Sequence, residues 1–286
     1  MISYGKQKIF KSDLETVKRV LKSEFLTSGP VTQKFESELK KYFNTKYVIS
    51  TSSGTSALDV AFGSINLKKD DIVIMPVINF IASFNMATKY GAKIYLSDVN
   101  KHTGQMEPKN LLQCIKKNKL RNIKCIVTMY LGGSPENAEE FYDLKKKYDF
   151  LIIEDACHAF GSKINFKKKM INVGSNLNSD ISVFSFHPVK AITTGEGGCM
   201  TTRNKSFFLK ANLLKNHGIK RSKYHWDYDV LENGYNYRIS DLNCALGLAQ
   251  LKKISVFLKK RNLIAKRYLK RLQNNSFMSI PNYSDS

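Results

Sequence analysis

Six short apolar runs, most of them separated by helix-length stretches, constrain the fold of this chain more than any other feature. They are YVIS (47 to 50), DIVIM (71 to 75), AKIYL (92 to 96), KCIVT (124 to 128), FLIIE (150 to 154) and DISVFSF (180 to 186). Short continuous apolar runs of this kind read as strands buried on both faces. Alternating with helices from residue 11 onward, they predict an α/β fold with a mostly parallel sheet flanked by helices. Ser12 and Glu15 are spaced as a capping box, opening a helix whose apolar face is Leu14, Val17, Val20 and Leu21. A second helix is expected from Val31 to Phe43. After about residue 205 the strand pattern fades, and residues 242 to 273 read as a long helical connector. No repeat, low-complexity segment or Pro/Gly/Ser linker divides the chain.

With 286 residues and 42% hydrophobic content, the chain has the material for a sizeable core. The opening MISYGKQKIF lacks an apolar run behind its charges, and no stretch approaches the ~18 apolar residues of a membrane span. A soluble cytoplasmic protein without a membrane partner is expected. Cys114, Cys125, Cys157, Cys199 and Cys244 form no CxxC pair, and the five histidines lack zinc-ligand spacing, so no metal or disulfide role is expected. The net charge of +22 invites a nucleic-acid reading. Its lysines, however, fall in dispersed clusters at 116 to 119, 145 to 147 and 167 to 169, which read as solvated helix ends and loops. No basic run is read as interleaved with aromatics. The charge therefore predicts a lysine-rich surface and no specific nucleic-acid partner, while favouring a phosphate-bearing small substrate.

In open parallel sheets, ligands bind beyond the carboxyl ends of the strands, so the residues just past each run are informative. After YVIS, Ser52, Ser53, Gly54, Thr55 and Ser56 lead into an apolar helix. Such a start is either an anion site, its N–H groups turned to a phosphate, or an ordinary N-cap. It lacks the lysine of a Walker loop. At the end of FLIIE stand Glu154 and Asp155. A carboxylate at the end of a buried run requires a partner, either a structural cap or ion pair or a cation such as a protonated pyridine nitrogen. After DISVFSF comes HPVKAITTGEGG. Lys190 lies there among Pro188, Val189, Ala191 and Ile192, a setting expected to lower an amine's pKa and make it nucleophilic toward an aldehyde.

At these motifs the chain closely resembles the DegT/DnrJ/EryC1/StrS family of PLP-dependent sugar aminotransferases. The resemblance runs from YGKQKI and FLTSGP through SSGTSAL, EDACHAFGS and SFHPVKAITTGEGG to GYNYRISDLNCALGLAQL, nearly the whole chain. It implies PLP fold type I, the aspartate aminotransferase architecture. Carried over by position, it implies that Lys190 binds pyridoxal 5'-phosphate covalently and shuttles the proton. Asp155 would pair with the pyridine nitrogen, and His158 would lie near the phenolic oxygen. Gly54, Thr55 and Ser185 would hold the phosphate, and Phe80 would stack on the ring. Asn236 would reach the phosphate of the neighbouring subunit, which implies a homodimer with shared active sites.

The implied reaction takes an amino group from glutamate to a nucleotide-linked 4-keto-6-deoxy sugar, for surface-glycan biosynthesis. Family dehydratases carry histidine at this lysine position, so Lys190 argues against that branch. The opening motifs look most like the UDP-sugar 4-aminotransferases of pseudaminic acid biosynthesis. Two departures stand out. Tyr130, in MYLGGSP, occupies the place of a usual histidine, and NHGI (216 to 219) either borders the substrate or holds a structural His217. The family also continues into a C-terminal small domain. The expectation is therefore a PLP-binding large domain over residues 1–240, and a connector with the start of an incomplete small domain over 241–286. The alternative is a catalytically impaired PLP-binding or regulatory protein of the same fold.

Overall fold

A computed structural model describes residues 5–224, 226–275, 277 and 280; Tyr4 of the opening motif and, apart from Ile280, the closing SIPNYSDS lie outside the described residues. The chain opens with α1 (Lys11–Leu21), α2 (Pro30–Phe43), β1 (Tyr47–Thr51), α3 (Gly54–Ser64), β2 (Ile72–Pro76), α4 (Ile81–Lys89) and β3 (Lys93–Ser97). It continues through α5 (Pro108–Lys117), β4 (Ile123–Met129), α6 (Ala138–Tyr148) and β5 (Leu151–Asp155). A hairpin of β6 (Lys163–Phe166) and β7 (Lys169–Asn172) precedes β8 (Ile181–Ser185), β9 (Gly198–Thr202) and α7 (Lys205–Lys215). A second hairpin, β10 (Ile219–Arg221) with β11 (Tyr228–Val230), leads to α8 (Asp241–Leu251) and α9 (Ile254–Leu272).

All six apolar runs form strands of one seven-stranded sheet, in the order β1-β9-β8-β5-β4-β2-β3. The pairs β2/β3, β2/β4, β4/β5 and β5/β8 are parallel, and β9 runs antiparallel to both β1 and β8. The sheet is buried on both faces because successive strand residues enter different cores. Ile153 and Val183 pack with Leu58 and Ala61 of α3, whereas Phe184 packs with Phe35 and Phe43 of α2 and Leu248 of α8. Phe43 and Phe184 stack with centroids 4.4 Å apart.

Four local expectations are corrected. The N-cap of α1 is Phe10, with its N–H donating to Asp13 Oδ2 at 2.9 Å, and the Ser12–Glu15 box does not form. Asp13 is fully buried and pairs with Lys253 and Gln250, so tertiary contacts choose the cap. Of the expected apolar face, Val20 is buried but Leu14 and Leu21 are exposed. The strand β9 went unread because GCMTT carries little apolar signal; it is held by pairing on both sides. The connector is two helices, broken at Lys252 and Lys253, and α8 is inserted in the core through Cys244, Leu248 and Leu251.

The lysine clusters lie where expected: at the exposed C-terminal ends of α5 and α6, where cations complement the helix dipole, and in the β6–β7 turn. One basic stretch, however, does adjoin aromatics. Lys220, Arg221 and Lys223 neighbour the exposed Tyr224, Trp226 and Tyr228, and the first two of these rings stack at 5.1 Å. No helix among the described residues is long and apolar enough to cross a membrane.

Candidate active site

The strands β1 and β8 both end against Gly198, the first residue of β9, in the register Thr51↔Gly198 and Ser185↔Gly198. This brings the SSGTS turn beside Ser185. A Cβ on Gly54 would stand 3.0 Å from Ser185 Cβ and 3.5 Å from Cys157 Sγ. A Cβ on Gly198 would lie 2.5 Å from the Ser53 carbonyl oxygen and 2.6 Å from the Gly54 nitrogen, so only glycine permits this approach. The helix α3 is capped by Ser53, whose Oγ accepts from Ser56 N at 3.0 Å. The N–H groups of Gly54 and Thr55, first and second in the helix, have no acceptor within it. They are the groups a phosphate would take.

On β5 the two carboxylates part company, because neighbouring strand residues face opposite ways. Glu154 is fully buried and accepts from the Tyr130 hydroxyl at 2.6 Å, from Asn178 Nδ2 at 2.6 Å and from the Ser182 hydroxyl. Burial pushes its pKa up, against these three donors. It is structurally satisfied. Tyr130, in the place of the family's histidine, is turned inward to this carboxylate and is itself buried.

Asp155 faces the other side. It is 2% exposed, its Oδ2 accepts from the Ser83 hydroxyl at 3.2 Å and its Oδ1 accepts from Cys157 N at 3.3 Å. Among the described residues it is in no ion pair. A buried carboxylate held only by neutral donors fits a cationic ring nitrogen. Ser83 lies on the first turn of α4, whose N-cap is Phe80, 69% exposed and free to cover a ring.

Lys190 follows β8 on a loop held by its own N–H donating to His187 O at 2.9 Å. Arg261 of α9 donates to the carbonyls of Lys190 and Val189, at 2.7 and 3.2 Å. The lysine is half-buried and lines a cavity of about 130 Å³ with Lys6, Pro188 and Phe257. Its charge reaches the β5 end: the His158 imidazole is held below its ordinary pKa by burial first and by Lys190 second, with Asp155 opposing. Gly54, Ser185, Asp155, His158 and Lys190 thus share one end of the sheet. Asn236 is exposed, in a bridge to Asn216, next to Tyr237, whose carbonyl accepts from Ser52 N at 2.9 Å.

Sequence reading missed Ser83, whose signal was its place one turn after Phe80, and Asp241. The latter is fully buried and accepts from the N–H groups of Gly29 and Val31, at 3.0 and 3.2 Å, fixing the FLTSGP loop. That loop and His217 of NHGI line a larger cavity, about 840 Å³, with Glu36, Lys215 and Arg238, on the outer edge of β1. None of Lys190, Asp155 or Ser185 lines it.

The seven-stranded, mostly parallel sheet with one antiparallel strand, flanked by helices, is the fold of solved PLP-dependent sugar aminotransferases. The chain matches the DegT/DnrJ/EryC1/StrS aminotransferase family over residues 7–285 and belongs to it. It is 40% identical over 279 residues, 98% of its length and 72% of the relative's, to the UDP-4-amino-4,6-dideoxy-N-acetyl-beta-L-altrosamine transaminase of Campylobacter jejuni serotype O:23/36. Among solved structures, Helicobacter pylori PseC, an aminotransferase of pseudaminic acid biosynthesis, aligns with a TM-score of 0.85 at 28% identity, covering 96% of this chain and 71% of that one. The PLP form of the Streptococcus pneumoniae sugar aminotransferase Spr1654 aligns at 0.86 and 27% identity, covering 96% and 72%. The chain is therefore a PLP-dependent sugar aminotransferase.

Proposed function

We propose that this enzyme takes an amino group from glutamate and delivers it to the C4 carbonyl of a UDP-linked 4-keto-6-deoxy-N-acetylhexosamine, for surface-glycan biosynthesis. The observation that carries the reading is the placing of Asp155 and Ser185 at the ends of the neighbouring strands β5 and β8, with Lys190 on the loop after β8, near enough for its charge to act on His158. The likeness to the Campylobacter transaminase supports the substrate class. PLP, when bound, supplies an electron sink for negative charge developing at the substrate carbon. The residues of this chain do the rest. Lys190 Nζ would hold the cofactor at its aldehyde, and the same amine would carry the proton between the donor's α-carbon and the sugar's C4. Asp155 would pair with the protonated ring nitrogen, and His158, its pKa lowered by burial and by Lys190, would lie near the phenolic oxygen. The N–H groups of Gly54 and Thr55, with the Ser185 hydroxyl, hold the phosphate. Phe80 covers the ring. The donor leaves as 2-oxoglutarate before the sugar enters.

Asn236 would complete the phosphate site of the neighbouring subunit, so the working unit is a homodimer. We also propose a PLP-binding large domain over 1–240 and a connector with the start of a small domain over 241–286; among the described residues of the second stretch the elements are α8, which packs in the core of the first, and α9. The unpaired cysteines fit a reducing cytoplasm. The test is to load the enzyme with pyridoxamine phosphate and offer UDP-, GDP- and dTDP-linked keto-sugars. The UDP-linked 4-keto sugar should restore the visible band of lysine-bound PLP, and discharge by none of them would overturn the substrate class.

A further inference from the structure

Outside the residues assigned to the cofactor, a charged cluster joins α3, which carries Gly54 and Thr55, α4, whose N-cap is Phe80, and the segment that holds Asn236. Asp59, on α3 and 1% exposed, ion-pairs with Lys89 on the last turn of α4. The Tyr237 hydroxyl donates to the same carboxylate oxygen at 2.6 Å, and the Tyr90 hydroxyl donates to the Asp59 carbonyl at 3.1 Å. The Lys89 ammonium lies 3.7 Å from the centroid of the Tyr235 ring, which stacks on Tyr237 at 5.1 Å. A cation between a buried carboxylate and an aromatic face gains from both and is costly to replace by a neutral group.

The cluster's position is what makes it informative. Asp59 stands five residues after Gly54 on the same helix. The Tyr237 carbonyl accepts from Ser52 N at 2.9 Å, in the turn that opens that helix, and Asn236 lies between the two stacked tyrosines. Lys89 thus ties the segment 235–237 to the phosphate turn from beneath. Among the described residues Lys89 is the cation paired with Asp59, and it lies over the Tyr235 ring of the stacked pair.

We propose that Lys89 is a positioning residue for cofactor phosphate, locking Asp59 and Tyr235–Tyr237 so that Gly54 and Thr55, at the phosphate of their own subunit, and Asn236, reaching that of the neighbouring subunit, are held as one unit. The inference rests on the phosphate-holding roles proposed for those three residues.

The test compares PLP with pyridoxal, which has the same aldehyde but no phosphate. The cofactor-free full chain is titrated with each, monitoring the visible band of the lysine-bound aldehyde. Lys89→Met should weaken PLP by about tenfold, the scale of one hydrogen bond to a charged group, and leave pyridoxal unchanged. Lys89→Arg should restore PLP binding. Tyr237→Phe, which removes one hydroxyl, should reproduce the PLP-only loss at smaller size and serves if Lys89→Met does not fold. Equal losses for both aldehydes, or none for either, would overturn the proposal. A wild type that binds PLP no better than pyridoxal would instead refute the phosphate roles of Gly54 and Thr55. A wild type with no band would refute the role of Lys190, and either result removes the positioning role of Lys89 as well.

Discussion

At the scale of residues, the site depends on which way a side chain faces. Glu154 and Asp155 are adjacent carboxylates, yet one is enclosed by three donors on one face and the other ends beside His158 on the opposite face. The depressed pKa of His158 has a pH consequence. The imidazole stays neutral in the folded chain at pH values where the unfolded one, near 6.5, is already protonated. The unfolded state therefore binds more protons, and stability is present above about pH 6.5 and is lost as pH falls through the folded value. Urea unfolding of the cofactor-free protein between pH 7 and 5 should show this slope, and His158→Gln should flatten it. Parallel slopes for the two proteins would show that His158 does not set it.

At the scale of elements, β9 organises the site although it contributes none of the assigned side chains. Its first residue receives the ends of β1 and β8 and brings the turn before α3 against Ser185. In Gly198→Ala the new methyl meets backbone atoms of Ser53 and Gly54, which cannot swing aside as a side chain would. Overpacking of this kind costs about 1–3 kcal/mol, read as a lowered urea midpoint, and should weaken PLP binding in the same variant. An alanine variant with native stability and cofactor affinity would show that the approach of β9 to α3 is not needed. The α9 helix acts from the other side, with Arg261 fastening the two carbonyls of the Lys190 loop.

At the scale of the whole molecule, the proposed sharing of Asn236 across a dimer makes the subunits complementary. Lys190→Ala removes the cofactor attachment, and Asn236→Ala weakens the partner's phosphate site. A mixed dimer of the two variants retains one site with both native residues. Unfolding and refolding the two variants together should therefore yield transaminase activity above that of either alone. Activity no greater than the average of the parents would place Asn236 in its own subunit's site or outside any site. The lysine-rich surface enters at this scale too, as a field that would attract the proposed anionic nucleotide sugar, an effect that salt screens.

What the sequence determined by itself was the set of buried strands and the motifs at their ends. Apolar runs have to be covered on both faces, and in an open parallel sheet the residues just beyond the strands are the ones placed to reach a ligand. The six strands, the helix start within residues 52–56 and the placing of Lys190, Asp155 and Ser185 at or just past strand ends were legible for that reason, whereas which residue caps that helix, Ser53, was decided by the structure. What only the tertiary structure decided were matters of partnership across long sequence distances. The cap of α1 went to Phe10 because Asp13 meets Lys253 some 240 residues away, and β9 formed because two strands pair with it. Tyr130 turned inward because Glu154 was there to receive it. Local patterns report burial, since burial is a property of each residue, but a hydrogen bond between distant residues belongs to neither residue alone, and only folding brings its two ends together.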